Sequence, residues 1–195
     1  YEVGAQYHAY MEPVSVLAAF GPDGRVTVWS STQSIFRTQA NIHEGLGIPM
    51  GKIRCVAPRI GGGFGAKAEA SGQLVTVMLA KKAGMPVRLV LTRDEDMTSM
   101  RARHPGTLRV KTGAKADGTL VAREMEVWLD AGAYADDSPA VMNLVLFYAR
   151  GSYSIPHVRA LGHAVYTNKL RLGAFRGFGN PQASFAAESQ LDDIA

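Results

Sequence analysis

The sequence GGGFGAK occupies residues 61–67, between a strand-like run at residues 53–57 and a run with helical spacing at residues 68–83. Glycines ahead of a helix leave backbone N–H groups free for an anion and let other groups approach the backbone closely. A phosphate-binding P-loop is excluded, because Ala66 and Ala68 stand where that motif requires Gly and Ser or Thr. We call residues 61–67 the first glycine loop.

Two interpretations of this loop stay open on its residues alone. The spacing Gly61-x-Gly63-x-x-Ala66 matches the dinucleotide-binding fingerprint loosely, but the acidic residue expected about 20 positions later does not stand clearly at a strand end. A dinucleotide site would also require a parallel sheet, which the hairpins described below do not favour. The other interpretation is a tight backbone crossing inside a packed core.

The composition is that of an ordinary folded domain. The 195 residues include 21 Lys+Arg and 17 Asp+Glu, a net charge of +4, and 47% of the residues are hydrophobic. Basic residues are scattered, which does not favour a nucleic-acid partner, and no apolar stretch approaches the roughly 18 residues of a membrane span. Cys55 is the only cysteine, so an internal disulfide, a zinc finger and an iron–sulfur cluster held by this chain's cysteines are excluded. A lone cysteine favours a reducing compartment, and we expect a cytoplasmic protein.

Turn signals predict two hairpins. Residues 14–20 and 25–30 flank Gly-Pro-Asp-Gly, and residues 107–116 and 119–130 flank Asp-Gly. The other elements expected are strands at residues 53–57, 87–91 and 158–167 and helices beginning near residues 34, 68, 93 and 182. Residues 132–152 are apolar without a clear period and receive no assignment. The predicted fold class is α+β, with a mixed or antiparallel sheet whose hairpins pack against helices, in a single domain over residues 1–195.

Motifs of several other enzyme classes are missing. The five histidines show no metal-ligand spacing, and His43-Glu44 lacks the second histidine of a zinc protease. No Gly-x-Ser-x-Gly phrase provides a serine nucleophile. No metal held by side chains of this chain is therefore predicted.

A set of short phrases occurs in a fixed order along the chain. They are Glu12-Pro13, Ser31-Thr32-Gln33, Gly61-Gly62-Gly63-Phe64-Gly65, Arg93-Asp94-Glu95-Asp96-Met97, Arg103-His104-Pro105, Ala174-Phe175-Arg176-Gly177-Phe178-Gly179 and Pro181-Gln182. In this order and spacing, from about Gln6 to Ala195, the chain resembles the molybdenum-binding subunit of the xanthine dehydrogenase/aldehyde oxidase family. Each phrase alone is weak, and their combination carries the resemblance.

The resemblance implies an oxidoreductase. Members of this family hydroxylate a carbon next to nitrogen or oxygen in heterocycles and aldehydes, with water as the oxygen source. A pyranopterin holds their molybdenum, and its cytosine dinucleotide form is an option that the sequence leaves open. Electrons leave through iron–sulfur clusters towards FAD on partner domains or subunits. The cofactors carry the chemistry, while the protein binds and orients.

Two catalytic residues follow from the resemblance. Gln33 matches the family glutamine whose amide donates to an oxo ligand of the molybdenum. Phe178 matches the aromatic residue against which the flat substrate packs, as in a mostly apolar pocket.

The resemblance also implies cofactor-binding residues. Glycine is required where a Cβ would block close approach, and a planar guanidinium can donate to oxo or pterin acceptors. The residues that match are Gly62, Gly63, Phe64, Gly65 and Arg176.

Two positions depart from purine-oxidising members. Those members carry a glutamate directly after the Gly-Phe-Gly-Gly-Lys phrase, where this chain has Ala68, with Glu69 one residue later. They also carry a substrate-binding arginine ahead of the Tyr-x-Ile-Pro phrase, where alignment gives Leu144. Losing both groups would leave polar edges of a purine unpaired, at about 1–3 kcal/mol for each. An aldehyde or a less polar N-heterocycle is therefore expected rather than xanthine.

Part of the family's active site is expected outside these residues. By the resemblance, the catalytic glutamate and the segments that hold the distal pterin lie beyond the equivalent of Ala195, and the chain starts at Tyr1 without Met. We expect an excised fragment, inactive and without bound cofactor by itself. Its partners would be the C-terminal half of the molybdenum subunit and the iron–sulfur and flavin subunits or domains. The alternative is a non-catalytic interaction module on the same fold, which the retained loop glycines and Arg176 do not favour.

Overall fold

The computed structural model describes residues 1–69 and 71–195. The strands within them are β1 Glu2–Val3, β2 Ser15–Phe20, β3 Val26–Ser30, β4 Ile53–Val56, β5 Val87–Val90, β6 Gly106–Ala114, β7 Leu120–Gly132 and β8 His157–Tyr166. The α-helices are α1 Ile35–Leu46, α2 Gln73–Ala83, α3 Arg93–Ser99, α4 Ser138–Phe147 and α5 Asn180–Ile194. The chain forms two compact units: His8–Met100, the N-terminal unit, and Tyr1–Tyr7 with Arg101–Ala195, the C-terminal unit.

A four-stranded mixed sheet organises the N-terminal unit. Its order is β4-β3-β2-β5, with β2 antiparallel to β3 and β5 and with β4 parallel to β3. Val26 and Val28 of β3 are fully buried, as the alternating sequence predicts. Helix α1 links β3 to β4 and packs against the sheet, and it ends at Gly47 with φ of +66°. The first glycine loop follows β4.

Helix α2 begins five residues later than its sequence pattern predicts. A 3₁₀ turn covers Ala66–Ala68, and Gly72 adopts a φ of +83° directly before the helix. A left-handed residue interrupts an α-helix, so the predicted continuous helix from residue 68 is wrong. The buried face of α2 consists of Gln73, Thr76, Val77 and Ala80. Its apolar residues Val75, Met78 and Leu79 are about half exposed.

The C-terminal unit is a second four-stranded sheet covered by two helices. Its order is β1-β6-β7-β8, in which β6 and β7 form the predicted hairpin and β8 is parallel to β7. Leu108, Met125, Val127 and Leu129 lie on one face of this sheet and are fully buried against α4 and α5. Mixed sheets packed against helices confirm the predicted fold class.

Helix α4 lies in the stretch that received no assignment from sequence. Its first turn contains Pro139, a position where proline is tolerated because the N–H would be unpaired in any case. Val141, Met142 and Val145 are buried, but Phe147 is apolar and 76% exposed. Apolar residues on both faces hide the helical period, which explains why the pattern is unreadable.

Candidate cofactor-binding loops

The first glycine loop is fixed to Gln33, which lies in the connection between β3 and α1. The Oε1 atom of Gln33 accepts hydrogen bonds from the N–H of Gly65 at 2.9 Å and of Lys67 at 3.3 Å. The N–H of Gln33 donates to the carbonyl oxygen of Lys67 at 2.8 Å. These hydrogen bonds attach Gln33 to the carboxyl-terminal half of the loop.

The amide nitrogen of Gln33 is left as a donor. The opposite amide orientation would set its NH₂ group against two N–H donors, so the oxygen is the atom that faces the loop. Within residues 1–69 and 71–195, Nε2 of Gln33 forms no hydrogen bond, and the side chain is exposed. Gln33 is thus a neutral donor whose orientation is set by the loop.

The loop has little space for a side chain at Gly62 or Gly63. A Cβ at Gly63 would lie 2.4 Å from Oε1 of Gln33, and a Cβ at Gly62 would lie 3.2 Å from Cε2 of Phe64. Gly62, Phe64 and Gly65 have φ values of +97°, +52° and +112°. In the described part of the chain, the N–H groups of Gly62 and Gly63 form no hydrogen bond. The loop therefore offers backbone donors that an acceptor can approach closely.

An ion pair whose lysine is buried joins the two ends of the loop. Lys67 is fully buried, and its Nζ donates to Oε2 of Glu12 at 2.9 Å and to the Glu12 carbonyl oxygen at 2.7 Å. The same Oε2 accepts from the N–H of Gly61 at 2.9 Å. The Nζ atom also lies 4.5 Å from the ring centroid of Tyr10. Burial alone would raise the pKa of Glu12, but the hydrogen bonds from Gly61 and Lys67 outweigh it and lower that pKa.

Helix α3 supports the residues behind the loop. Thr92 and Glu95 form a capping box at its start. Asp96 is fully buried and accepts a hydrogen bond from the hydroxyl of Tyr10. Arg93 donates to the carbonyl oxygen of Tyr10 at 2.7 Å. The phrase at residues 93–97 therefore holds Tyr10, against which Lys67 lies.

The second glycine loop, residues 173–179, presents Arg176 and Phe178 in the C-terminal unit. Both side chains are exposed, Phe178 at 40%. Arg103 is buried and its Nη2 donates to the carbonyl oxygen of Arg176 at 3.2 Å. Its guanidinium lies 4.3 Å from the ring centroid of Phe175, and its Nη1 donates to Oε1 of Gln182 at 3.5 Å. Arg103 thus links the second glycine loop to the start of α5.

Two glycines of the second loop are required by packing. A Cβ at Gly173 would lie 2.5 Å from Cδ of Arg101, which is fully buried. A Cβ at Gly179 would lie 2.6 Å from the carbonyl oxygen of Val141 in α4. Close backbone approach explains these glycines without a ligand.

His104 and Ser138 form a pair that superficially resembles a base and a nucleophile. Their side chains are 2.9 Å apart, between Nε2 and Oγ, but exposure is 0% for His104 and 1% for Ser138. Burial lowers the pKa of His104 to about 4. The negative charges of Asp137 and Asp130 act in the other direction and raise this pKa, but burial outweighs them. A substrate has no access to this pair, which is structural.

Glu69, which follows the departing position Ala68, and Leu144, the other departing position, have ordinary structural surroundings. Glu69 is buried and its Oε1 lies 2.7 Å from Nε of Arg37. Leu144 is half-buried in α4. Glu69 is therefore engaged in an ion pair on its own unit.

The predicted site residues fall into two groups, one in each unit. Gln33 lies against Gly63 and Gly65 in the N-terminal unit, whereas Arg176 and Phe178 share one loop of the C-terminal unit. Sequence reasoning missed the residues that hold the two loops. They are Tyr10, Glu12, Lys67, Asp96, Arg103 and Gln182. Four of them, Glu12, Asp96, Arg103 and Gln182, lie inside the ordered phrases. A charged or amide residue inside such a phrase is the sequence signal that could have identified them.

Comparisons with known proteins decide the family. A family model described as "Molybdopterin cofactor-binding domain" matches residues 1–195. The chain belongs to this family. Its relatives include a probable xanthine dehydrogenase subunit of Bacillus subtilis (strain 168), which is 39% identical over 195 residues, covering 100% of this chain and 26% of that protein. The nicotinate dehydrogenase large molybdopterin subunit of Eubacterium barkeri is 38% identical over 188 residues, covering 96% of this chain and 44% of that protein.

A solved structure extends the similarity to the fold. The aldehyde oxidoreductase from Desulfovibrio gigas matches with a TM-score of 0.92 and 33% identity, covering 100% of this chain and 22% of that one. The chain thus spans less than half the length of these relatives. These findings confirm the family resemblance.

Two searches of the described residues were negative. No helix in residues 1–69 and 71–195 is long and apolar enough to cross a membrane. No group of three or more His, Cys, Asp or Glu side chains in that part of the chain could hold a metal ion.

The residues of the first glycine loop fit a pterin-type cofactor. Such a group presents nitrogen and oxygen acceptors, and the loop presents the N–H groups of Gly62 and Gly63 with the amide of Gln33. A Cβ at Gly63 would fill the space beside Gln33 and displace its side chain. The loop is therefore built for close approach by an acceptor.

Proposed function

We propose that both units form one domain over residues 1–195, and that this domain contributes part of the cofactor site of a molybdenum hydroxylase. The reaction proposed is oxidation of an aldehyde or an N-heterocycle, with water as the oxygen source. The observation that carries the proposal is the arrangement at Gln33, whose Oε1 is taken by the N–H of Gly65 and of Lys67 and whose amide N–H₂ is free to donate. The match to the molybdopterin cofactor-binding family supports it.

The residues of this chain bind and orient, and the bound cofactor supplies the two-electron redox chemistry. Gln33 donates a hydrogen bond to a cofactor acceptor, and because it is neutral it adds no charge there. At Gly62 and Gly63 the backbone can approach the cofactor without obstruction by a side chain of its own. Arg176 offers a planar fork of donors, and exposed Phe178 offers a flat surface for an aromatic or aldehyde substrate.

The substrate class rests on the two departures from purine-oxidising members. Ala68 has no polar group, and Leu144 is apolar. Glu69 is paired with Arg37, so it is not available to pair with a substrate as a free carboxylate. A substrate with fewer polar edges than a purine would lose less binding energy here.

The proposed assembly extends beyond this chain. The remaining part of the molybdenum subunit would complete the cleft, and iron–sulfur and FAD-containing domains or subunits would accept the electrons. The cofactor form, including a cytosine dinucleotide, and a cytoplasmic location belong to the same proposal. The relatives that match are longer than this chain, which supports additional segments.

The test uses the complete gene product that carries this chain, made in a host that supplies the cofactor. We expect about one molybdenum per polypeptide and faster turnover of aldehydes or N-heterocycles than of xanthine. Isotope-labelled water should place its oxygen in the product. A metal-free preparation, or a product that takes its oxygen from O₂, would contradict the proposed function.

The isolated 195-residue chain gives a second test. It lacks most of the length of its relatives, so we expect it to be inactive and free of molybdenum when made in the same host. Stoichiometric molybdenum in this chain would show that the site is complete within these residues, and the proposed need for further segments would then be wrong.

A further inference from the structure

An ion pair between a buried lysine and a partly exposed glutamate connects the ends of the first glycine loop. The Nζ of Lys67 has no solvent exposure and lies 2.9 Å from Oε2 of Glu12, whose side chain is 34% exposed. Oε2 bridges two points of the loop, since it accepts from the N–H of Gly61 as well as from Nζ of Lys67. Glu12 therefore contacts the first and last residues of the loop with one atom.

The charges of this pair depend on each other. An ammonium group removed from water has a large desolvation penalty, which is offset only where a counter-ion and further acceptors are in place. For Lys67 these are the carboxylate and carbonyl oxygen of Glu12, together with the face of the Tyr10 ring. Removing the Glu12 carboxylate leaves the buried charge of Lys67 without a counter-ion.

The backbone between the two ends of the loop needs such support. Phe64 holds a φ of +52°, a region that side-chain-bearing residues rarely occupy and that persists only when the surroundings enforce it. The surrounding contacts come from Glu12 at the ends of the loop and from Gln33 at Gly65 and Lys67. Lys67 takes part in both sets, because its side chain binds Glu12 and its backbone binds Gln33.

We propose that Glu12 and Lys67 are positioning residues, which hold the first glycine loop and Gln33 in the conformation that receives the cofactor. This inference rests on the proposed function. Neither residue needs to contact the cofactor. Their effect passes through Gly61 at the start of the loop and through Gln33 beside its end.

The experiment compares variants of the complete gene product. Lys67→Met keeps the apolar stem and removes the charge, and Lys81→Met makes the same change at an exposed site of α2. Glu12→Ala removes the bridging carboxylate, whereas Glu12→Gln keeps an oxygen that can accept from the N–H of Gly61. Val77→Ala is the control for general loss of stability, because Val77 is fully buried in the same unit.

The readouts are amide hydrogen exchange and molybdenum content. For Lys67→Met and Glu12→Ala we expect exchange of the amides at Gly61, Gly65 and Lys67 to rise about tenfold, with molybdenum content reduced about threefold or more. Amide hydrogen exchange in helix α1 should change by less than about twofold. Glu12→Gln should show a smaller rise in amide exchange and a smaller fall in molybdenum content than Glu12→Ala. Lys81→Met should match the unsubstituted protein in both.

Three results would overturn the inference. Loop exchange could stay unchanged, it could rise together with the rest of the unit as in Val77→Ala, or the loosened variants could keep full molybdenum content. The proposed function fails in a different way, through an unsubstituted gene product without molybdenum. That result would remove the positioning role as well.

Discussion

At the scale of single residues, Gln33 is the central residue of the proposed site. Its two amide atoms have different tasks, because the oxygen accepts from the loop backbone and the nitrogen remains a donor. The order of the phrases in the sequence was enough to single out Gln33. The division of labour within its amide depends on the position of the N–H groups of Gly65 and Lys67, which no sequence pattern gives.

Gln33→Glu separates the two tasks. A carboxylate can still accept from the N–H of Gly65 and of Lys67, but it cannot donate. We therefore expect loop exchange close to that of the unsubstituted protein, while kcat/KM falls about tenfold to a hundredfold, as for loss of one hydrogen bond to a charged group. Gln33→Ala should disturb both quantities. Full activity of Gln33→Glu would show that donation by Gln33 is not used.

Gly63→Ala tests the absence of space in the loop. The new Cβ would lie 2.4 Å from Oε1 of Gln33, so either Gln33 or the loop must move. We expect a loss of unfolding free energy of about 1–3 kcal/mol in denaturant titrations. Gly51→Ala is the matched control, since a Cβ there meets nothing within 4 Å, and its change should stay within about 0.5 kcal/mol. Equal stability of the two variants would contradict the packing argument.

At the scale of elements, the strands, the turns and the starts of α1 and α3 were predictable, whereas the start of α2 and the presence of α4 were not. Both hairpins appear where their Gly-containing turns predict them, because turn geometry and strand alternation are local properties. The start of α2 at Gln73 depends on the left-handed Gly72, whose Cβ position lies 2.6 Å from Leu89. The space at residue 72 is therefore limited by Leu89, a residue of a different element. Helix α4 was missed because its apolar residues cover both faces.

The roles of the ordered phrases also emerge at this scale. Glu12 and Arg103 are far in sequence from the loops that they hold, at Gly61 and at Arg176. The sequence shows the order of the phrases along the chain, but it does not show which phrase contacts which. The support of each loop by a distant side chain became visible only in the structure.

Arg103→Lys tests the support of the second glycine loop. A lysine keeps the charge but cannot donate at once to the carbonyl oxygen of Arg176 and to Oε1 of Gln182 as the guanidinium does. We expect exchange in residues 175–179 to increase about tenfold, corresponding to about 1.4 kcal/mol of lost local protection. Arg159→Lys is the control, because Arg159 is exposed on β8. Unchanged amide exchange in the second glycine loop would show that Arg103 does not hold this loop.

At the scale of the whole molecule, the unfolding of each of the two compact units can be followed separately. The chain has two tryptophans, Trp29 in the N-terminal unit and Trp128 in the C-terminal unit. In a Trp29→Phe background, unfolding followed by tryptophan fluorescence reports on the C-terminal unit. The family was predictable because its phrases are spread along the chain. The arrangement of the loops was not, because it depends on contacts between distant residues.

The stability of the C-terminal unit should depend on pH through His104. Burial lowers its folded-state pKa to about 4, below the ordinary value of 6.5, so the unfolded chain takes up a proton first as the pH falls. The stability that neutral His104 gives the folded unit is fully present above pH 6.5. It is lost as the pH falls from about 6.5 to 4, by up to roughly 3 kcal/mol. His104→Asn should remove this part of the pH dependence. A wild-type profile that is flat in this range would contradict a neutral, buried His104.

The central claim is that the first glycine loop and Gln33 form part of a molybdenum-cofactor site. An experimental structure of the complete gene product with its cofactor tests it most directly. The account predicts a cofactor acceptor within about 3 Å of Nε2 of Gln33 and of the N–H of Gly62 or Gly63. A bound cofactor that contacts neither Gln33 nor residues 62–65 would contradict it.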